Sequence, residues 1–98
     1  MAELNETIHQ PVRLRIMAAL VTLSPGDEVE FTYLRQLLDV TDGNLGAHLR
    51  KLEEATYITL NKVFVDRKPR TFVSATLRGR AVFAEHVKAL EEILKSKK

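Results

Sequence analysis

Asn44, Ala47, His48 and Lys51 fall three and four residues apart in the stretch "TDGNLGAHLRKLEEATYI", Thr41 to Ile58. In the same stretch Leu45, Leu49 and Leu52 recur at i, i+4 and i+7. On a helix the leucines therefore occupy one arc and the other four residues the opposite one. That outer arc is not the Glu/Lys mixture of an ordinary solvent face. It offers an amide, an imidazole, a cation and a methyl group, which suit hydrogen bonding to a patterned surface rather than bond making and breaking. Further along, "DRKPR" places Arg67, Lys68 and Arg70 within five residues, a cluster whose chemistry is attraction for a polyanion.

Catalysis finds no comparable support. Ser24, Ser74 and Ser96 stand in no nucleophile-type context, and the pairs Asp27/Glu28, Glu53/Glu54 and Glu91/Glu92 read as solvated faces or caps. No glycine-rich phosphate loop is present, so an enzyme is not expected. The chain has no cysteine, which excludes disulfides, zinc–cysteine sites and thiol catalysis and fits a reducing, cytoplasmic setting. No two of His9, His48 and His86 share a ligand spacing such as i, i+4, so neither metal nor cofactor is expected. The histidines read as ordinary surface or interface residues, the alternative being a site between chains that joins His86 with His9.

The 98 residues suffice for one domain, and 45% hydrophobic with 29% charged residues is ordinary for a globular chain. No stretch approaches the roughly 20 apolar residues of a membrane span. "MAELNETIHQ" lacks the basic start of a secretory signal. The net charge of +2 conceals an asymmetry: residues 1–30 carry −3 and residues 57–80 carry +5. A domain this small buries a modest core, which makes dimerisation a natural way to add buried surface.

The elements that must position these groups follow from periodicity. "PVRLRIMAALVTL" has Val12, Ile16, Ala19, Leu20 and Leu23 at helical spacing, with Leu14 and Met17 beside them and Pro11 suited to the first turn. Leu4 and Ile8 fit a short preceding turn, and "SPGDE" breaks the chain. Val29 and Phe31 suit a brief extended piece. Thr32 then caps a short helix in which Leu34, Leu37 and Leu38 face the core. Thr41 or Asp42 caps the helix of the opening stretch, and so few residues between two helices are the mark of a helix-turn-helix. After Ala55 the period changes from 3.6 to 2: "YITLNKVFV" and "TFVSAT" read as two strands around the "DRKPR" loop. Thr76 caps a final helix with two apolar stripes. One is Phe83, Val87, Leu90 and Leu94; the other is Val82, Ala89 and Ile93, interrupted by His86. One stripe docks the helix, and the second calls for a symmetric partner chain, unless both sink as one wide stripe into a single monomer. The tail "KSKK" reads as disordered.

In this order the chain resembles the winged helix-turn-helix transcriptional regulators near the ArsR and MarR families. The resemblance rests on "HQPVRLRIMAAL", "DGNLGAHLRKLEEATYI", "RKPRTFVSAT" and "TLRGRAVF", and covers about Leu4 to Leu94. It implies an α+β, mostly helical fold with a three-helix core, a two-stranded wing and a long C-terminal helix. It also implies double-stranded DNA as partner. The recognition helix would enter the major groove with Asn44, Ala47, His48 and Lys51 toward the bases. Thr41, with Asn44 as a second candidate, would bond phosphate; Arg50 on the flank would contact the backbone or pair with Glu53 or Glu54; and Lys62, Arg67, Lys68 and Arg70 of the wing would meet phosphates or the minor groove. Taken alone, a basic hairpin tip is a solvated loop whose charges deter edge pairing; directly after a recognition helix, the DNA reading is the better one. Arg13 and Arg15 either touch backbone phosphate or form intramolecular ion pairs, and their acidic neighbourhood favours the pairs. Two departures stand out. Gly46 stands where the family often carries Ser, and Thr56 where it commonly carries Gly, which argues against a left-handed end to the recognition helix.

The resulting expectation is one winged-helix domain over residues 1–98 acting as a homodimeric, sequence-specific DNA-binding regulator. Residues 77–95 would be the dimerisation helix, with Phe83, Val87, Leu90, Ile93 and Leu94 at the interface. A winged helix used for protein–protein contact and a metal- or ligand-responsive sensor are the alternatives. The operator and any effector are not legible.

Overall fold

The computed structural model describes residues 3–96. Met1, Ala2, Lys97 and Lys98 lie outside the described residues, and with them the second half of the "KSKK" tail. Helix α1 spans Pro11–Val21, strand β1 Val29–Glu30, α2 Phe31–Leu38, α3 Asp42–Glu54, β2 Ile58–Val65, β3 Lys68–Ala75 and α4 Leu77–Lys95. The strands form one antiparallel sheet in the order β1-β3-β2. The wing expected as two-stranded therefore has a third strand, Val29 opposite Val73 and Glu30 opposite Phe72. Only Val29 of the expected extended pair is strand; Phe31 already opens α2, whose N-cap is Glu30 rather than Thr32.

The helices start where local chemistry says they should. Gln10 caps α1 by accepting from the Arg13 N–H at 2.8 Å, and Pro11 occupies the first turn. Thr41 caps α3 by accepting from the Asn44 N–H at 3.1 Å, and Thr76 caps α4 by accepting from the Gly79 N–H at 2.9 Å. One core gathers Ile16, Met17 and Leu20 of α1, Leu34 and Leu38 of α2, Leu45, Leu49 and Leu52 of α3, and Ile58, Val73 and Ala75 of the sheet. Leu37 was expected there as well but is 52% exposed; one residue before Leu38, it sits about 100° around the helix from it, at the edge of the buried arc. Ile8, from the turn preceding α1, is fully buried in the same core.

Two helix ends share one device. The Asp39 N–H bonds the Gln36 carbonyl and the Val40 N–H bonds that of Arg35. At the end of α3 the Thr56 N–H bonds Glu53 and the Tyr57 N–H bonds Leu52 at 2.9 and 3.0 Å. Both are Schellman closures with the C′ residue in the left-handed region, φ 55° at Asp39 and 66° at Thr56. The sequence argument against a left-handed end at Thr56 is thus overturned. Buried Tyr57 and Leu52 supply the apolar contact that accompanies this motif, and the threonine takes the conformation at a strain cost.

Helix α3 is tied to α4 through that closure. The Thr76 hydroxyl donates to the Thr56 carbonyl at 2.8 Å while the Thr76 N–H donates to that of Tyr57 at 3.0 Å. Arg80 reaches back to the end of α1, donating to the Leu23 carbonyl at 2.9 Å, with those of Leu20 and Val21 at 3.4–3.5 Å. A guanidinium there satisfies carbonyls that the helix leaves unpaired. Arg80, counted in the basic half of the sequence, is thus occupied within the fold.

Candidate nucleic-acid interface

The three residues Asp39, Val40 and Thr41 join α2 to α3, and Arg35 of α2 pairs with Asp42 of α3 at 2.9 Å. Leu45, Leu49 and Leu52 are buried, so α3 turns its other arc outward: Asn44, Ala47, Arg50 and Lys51 are exposed and His48 is half-buried. The Thr41 hydroxyl oxygen is engaged as the helix cap, which leaves its proton as the group free for a partner. A Cβ built on Gly43 or Gly46 meets nothing within 4 Å. Tight packing within the protein therefore does not account for Gly46, although glycine weakens a helix by about 1 kcal/mol relative to alanine.

Arg13 makes no ion pair among the described residues, contrary to expectation. It points to α3 instead. Its Nη1 lies 3.1 Å from His48 Nδ1 and its Nε donates to the Thr7 carbonyl. Burial, and after it the Arg13 charge, lower the His48 pKa from its ordinary value. The imidazole is therefore neutral at neutral pH.

Between α3 and the wing runs a groove of about 340 Å³, lined by Gly46, Arg50 and Glu53 on one side and Lys62 and Thr71 on the other. The wing tip is tighter than a five-residue loop. Asp66 and Arg67 alone make the turn, both with positive φ, 51° and 66°, as a two-residue hairpin of the right twist requires. Lys68, Pro69 and Arg70 belong to β3. Pro69 sits where β3 has only one neighbour, so its missing N–H costs no ladder bond. Arg70 pairs with Glu30 of β1 at 3.2 Å, and is thereby tied to the root of the wing. Lys62, Arg67 and Lys68 are exposed and form no ion pair among the described residues. Phe64, which the sequence reading passed over, is 78% exposed on the same arm.

The histidines correct another expectation. His86 is not a surface residue: it is fully buried on α4. The Asn5 N–H donates to its Nδ1 at 2.9 Å, and its Nε2 lies 3.2 Å from His9 Nδ1. His9 and His86 thus meet within one chain. Asn5 also donates to the Tyr57 hydroxyl at 2.9 Å and accepts from the Ile8 N–H at 3.0 Å. No periodicity marks Asn5; "NETIH" before the proline gave only the turn. Gly79, Val82, His86 and Ala89 face the domain, with Phe83 packed partly against the same core. Val87 and Leu90 are half-buried, while Ile93 and Leu94 are 53% and 71% exposed. Phe83 is thus partly committed within the monomer.

A helix-turn-helix with its recognition arc outward, followed by a basic hairpin, defines a winged helix-turn-helix protein. Residues 12–94 match the family described as winged helix DNA-binding domain, and the chain belongs to that family. A protein of Methanocaldococcus jannaschii, itself uncharacterized, is 34% identical over 85 residues, covering 87% of this chain and 89% of its own. Among solved structures, a transcriptional regulator homologue from Pyrococcus horikoshii OT3 superposes with a TM-score of 0.82 at 32% identity, covering 92% of this chain and 86% of that one. A regulator of the MarR family from Enterococcus faecalis V583 shares the fold, with a TM-score of 0.71 at 21% identity over 93% and 78% of the two chains. Family and fold are those of a DNA-binding transcriptional regulator, not of an enzyme. No helix among the described residues is long and apolar enough to cross a membrane.

Proposed function

We infer that the protein is a homodimeric, sequence-specific regulator that binds double-stranded DNA in the cytoplasm as one winged-helix domain. The observation that carries this is the recognition arc itself. Asn44, Ala47 and Lys51 are exposed beside Gly46, whose open flank no contact within the protein explains. Asn bonds adenine bidentately, Lys reaches guanine or phosphate, and Ala meets a thymine methyl. Thr41, Arg50, Lys62, Arg67 and Lys68 supply backbone contacts that set affinity, and Arg70 contributes from the wing root. Exposed Ile93 and Leu94, with Val87, Leu90 and the free side of Phe83, form the two-fold interface between α4 helices. Two recognition helices then enter successive major grooves roughly 34 Å apart.

Fluorescence anisotropy on a duplex selected from a random pool tests this at two salt concentrations. Affinity falls steeply with salt. In Arg67→Ala/Lys68→Ala it drops and the log–log salt slope becomes shallower by about 0.9 per lost phosphate contact. A folded dimer that binds no duplex at low salt sinks the reading. Exposed Phe64 on the wing would then favour the alternative, a winged helix whose partner is another protein.

A further inference from the structure

One outward side chain of the recognition helix has its hydrogen-bonding role set from behind. Arg13 Nη1 lies 3.1 Å from His48 Nδ1. A guanidinium only donates, so Nδ1 must accept with its lone pair, and the neutral ring then carries its proton on Nε2. Arg13 is itself held in place. Its Nε is engaged by the Thr7 carbonyl, and its backbone N–H by the Gln10 side chain at 2.8 Å. The N-terminal turn, α1 and α3 therefore converge on this one contact. Glu6, Lys51 and Glu54 line the shallow groove beside Arg13, yet no carboxylate of the described residues lies within ion-pair distance of His48 or Arg13. Among the described residues, none in contact with the ring favours the imidazolium.

The geometry points to His48 as a donor-only reader of a base edge, with Arg13 as the positioning residue that fixes its tautomer. This rests on the DNA-binding reading above. With Nδ1 occupied, Nε2–H is the ring's one remaining polar group. It is complementary to guanine O6, purine N7 or thymine O4, and mismatched with the exocyclic amines of cytosine and adenine. An untethered neutral imidazole would offer either nitrogen in either role and would discriminate less. A donor aimed at phosphate uses the same chemistry but carries no base preference, so the two targets separate by experiment.

The test has two arms. In the free protein at pH 7.5, long-range ¹H–¹⁵N spectra of the histidine rings should show His48 as the Nε2–H tautomer, and Arg13→Met should convert it to a mixture. On the duplex, base preference is measured position by position for the wild type, His48→Ala, Arg13→Met and Arg13→Lys. One base-pair position should lose about tenfold in preference in His48→Ala, within the range of one base contact. Arg13→Met should lose preference at that same position and no other, and Arg13→Lys, which keeps a donor, should recover part of it. An Nδ1–H tautomer or an imidazolium in the wild type overturns the proposal. So does a uniform loss across all sequences, which marks a phosphate contact or a merely structural arginine. A wild type that binds no duplex overturns the DNA reading and the reader role with it, and the spectra still decide the tautomer.

Discussion

Gly79 of α4 lies directly against the backbone of Tyr57, so close that a Cβ at this position would overlap the Tyr57 carbonyl. The contact presses the first turn of the C-terminal helix onto the closure that ends the recognition helix. Thr76 laces the same junction with its bonds to Thr56 and Tyr57. Gly79→Ala must push these two backbones apart, and should cost on the order of 3 kcal/mol. A chemical denaturation midpoint that does not fall would contradict the contact.

Thr56 is a β-branched residue at φ 66°, in a region that glycine enters without penalty. Thr56→Gly should therefore stabilise the domain by about 1 kcal/mol, after allowance for the larger unfolded-state entropy of glycine. Calorimetry would register this as a rise of roughly 4–8 °C in Tm. A fall would mean that the hydroxyl or the methyl of Thr56 contributes more than the strain costs.

Gly46 separates folding from binding. Its flank is open, so Gly46→Ala should stabilise the protein by about 1 kcal/mol. The added methyl should at the same time weaken duplex binding by about tenfold, the size of one lost base contact. A gain in stability with unchanged affinity would show that DNA does not approach α3 there.

Buried His86 gives stability a pH dependence of definite sign. Burial, and then the charge of His9, lower its pKa below 6.5 in the folded state. Below pH 6.5 the unfolded chain takes up the proton first, so stability falls as pH falls, and the contribution is fully present above pH 6.5. His48, lowered likewise, adds with the same sign. Protonated His86 would also set a second donor against the Asn5 N–H. Thermal melts between pH 7.5 and 5.5 should show Tm decreasing, with a shallower slope in His86→Gln.

The α4 interface is tested by a single charge. Leu90→Glu places a carboxylate in the middle of the proposed seam and should yield a monomer in multi-angle light scattering. A dimer that persists would locate the two-fold contact elsewhere.

The parts of the fold legible in the sequence were those set by neighbours along the chain. The Leu45, Leu49, Leu52 period, the Thr41 and Thr76 caps and the two alternating strands each need only local chemistry. What was not legible depends on residues far apart. The pairing of β1 rests on two residues meeting Phe72 and Val73. The burial of Ile8 and His86 rests on Asn5, a residue with no periodic signature. Asp39, Thr56, Asp66 and Arg67 adopt positive φ without being glycine, because turn and closure bonds hold them there. Charge was the least faithful guide: Arg70 and Arg80 counted as free cations yet are engaged by the protein itself, and Arg13, expected beside a carboxylate, meets an imidazole instead. The outward arc of α3 was legible because one leucine period fixes both sides of a helix at once.

The short reach of β1 has a mechanical consequence. It clamps the sheet at Phe72 and Val73 only, and the Glu30–Arg70 pair braces the next step. Beyond Arg70 the hairpin is a cantilever of about three residues, roughly 10 Å long, with Arg67 and Lys68 as its loaded end. A beam fixed at one end bends most at its tip. On the proposed DNA-bound reading, the cations follow a groove of varying width without disturbing the core, and the stiffness of that search is set at the root by one carboxylate and one guanidinium.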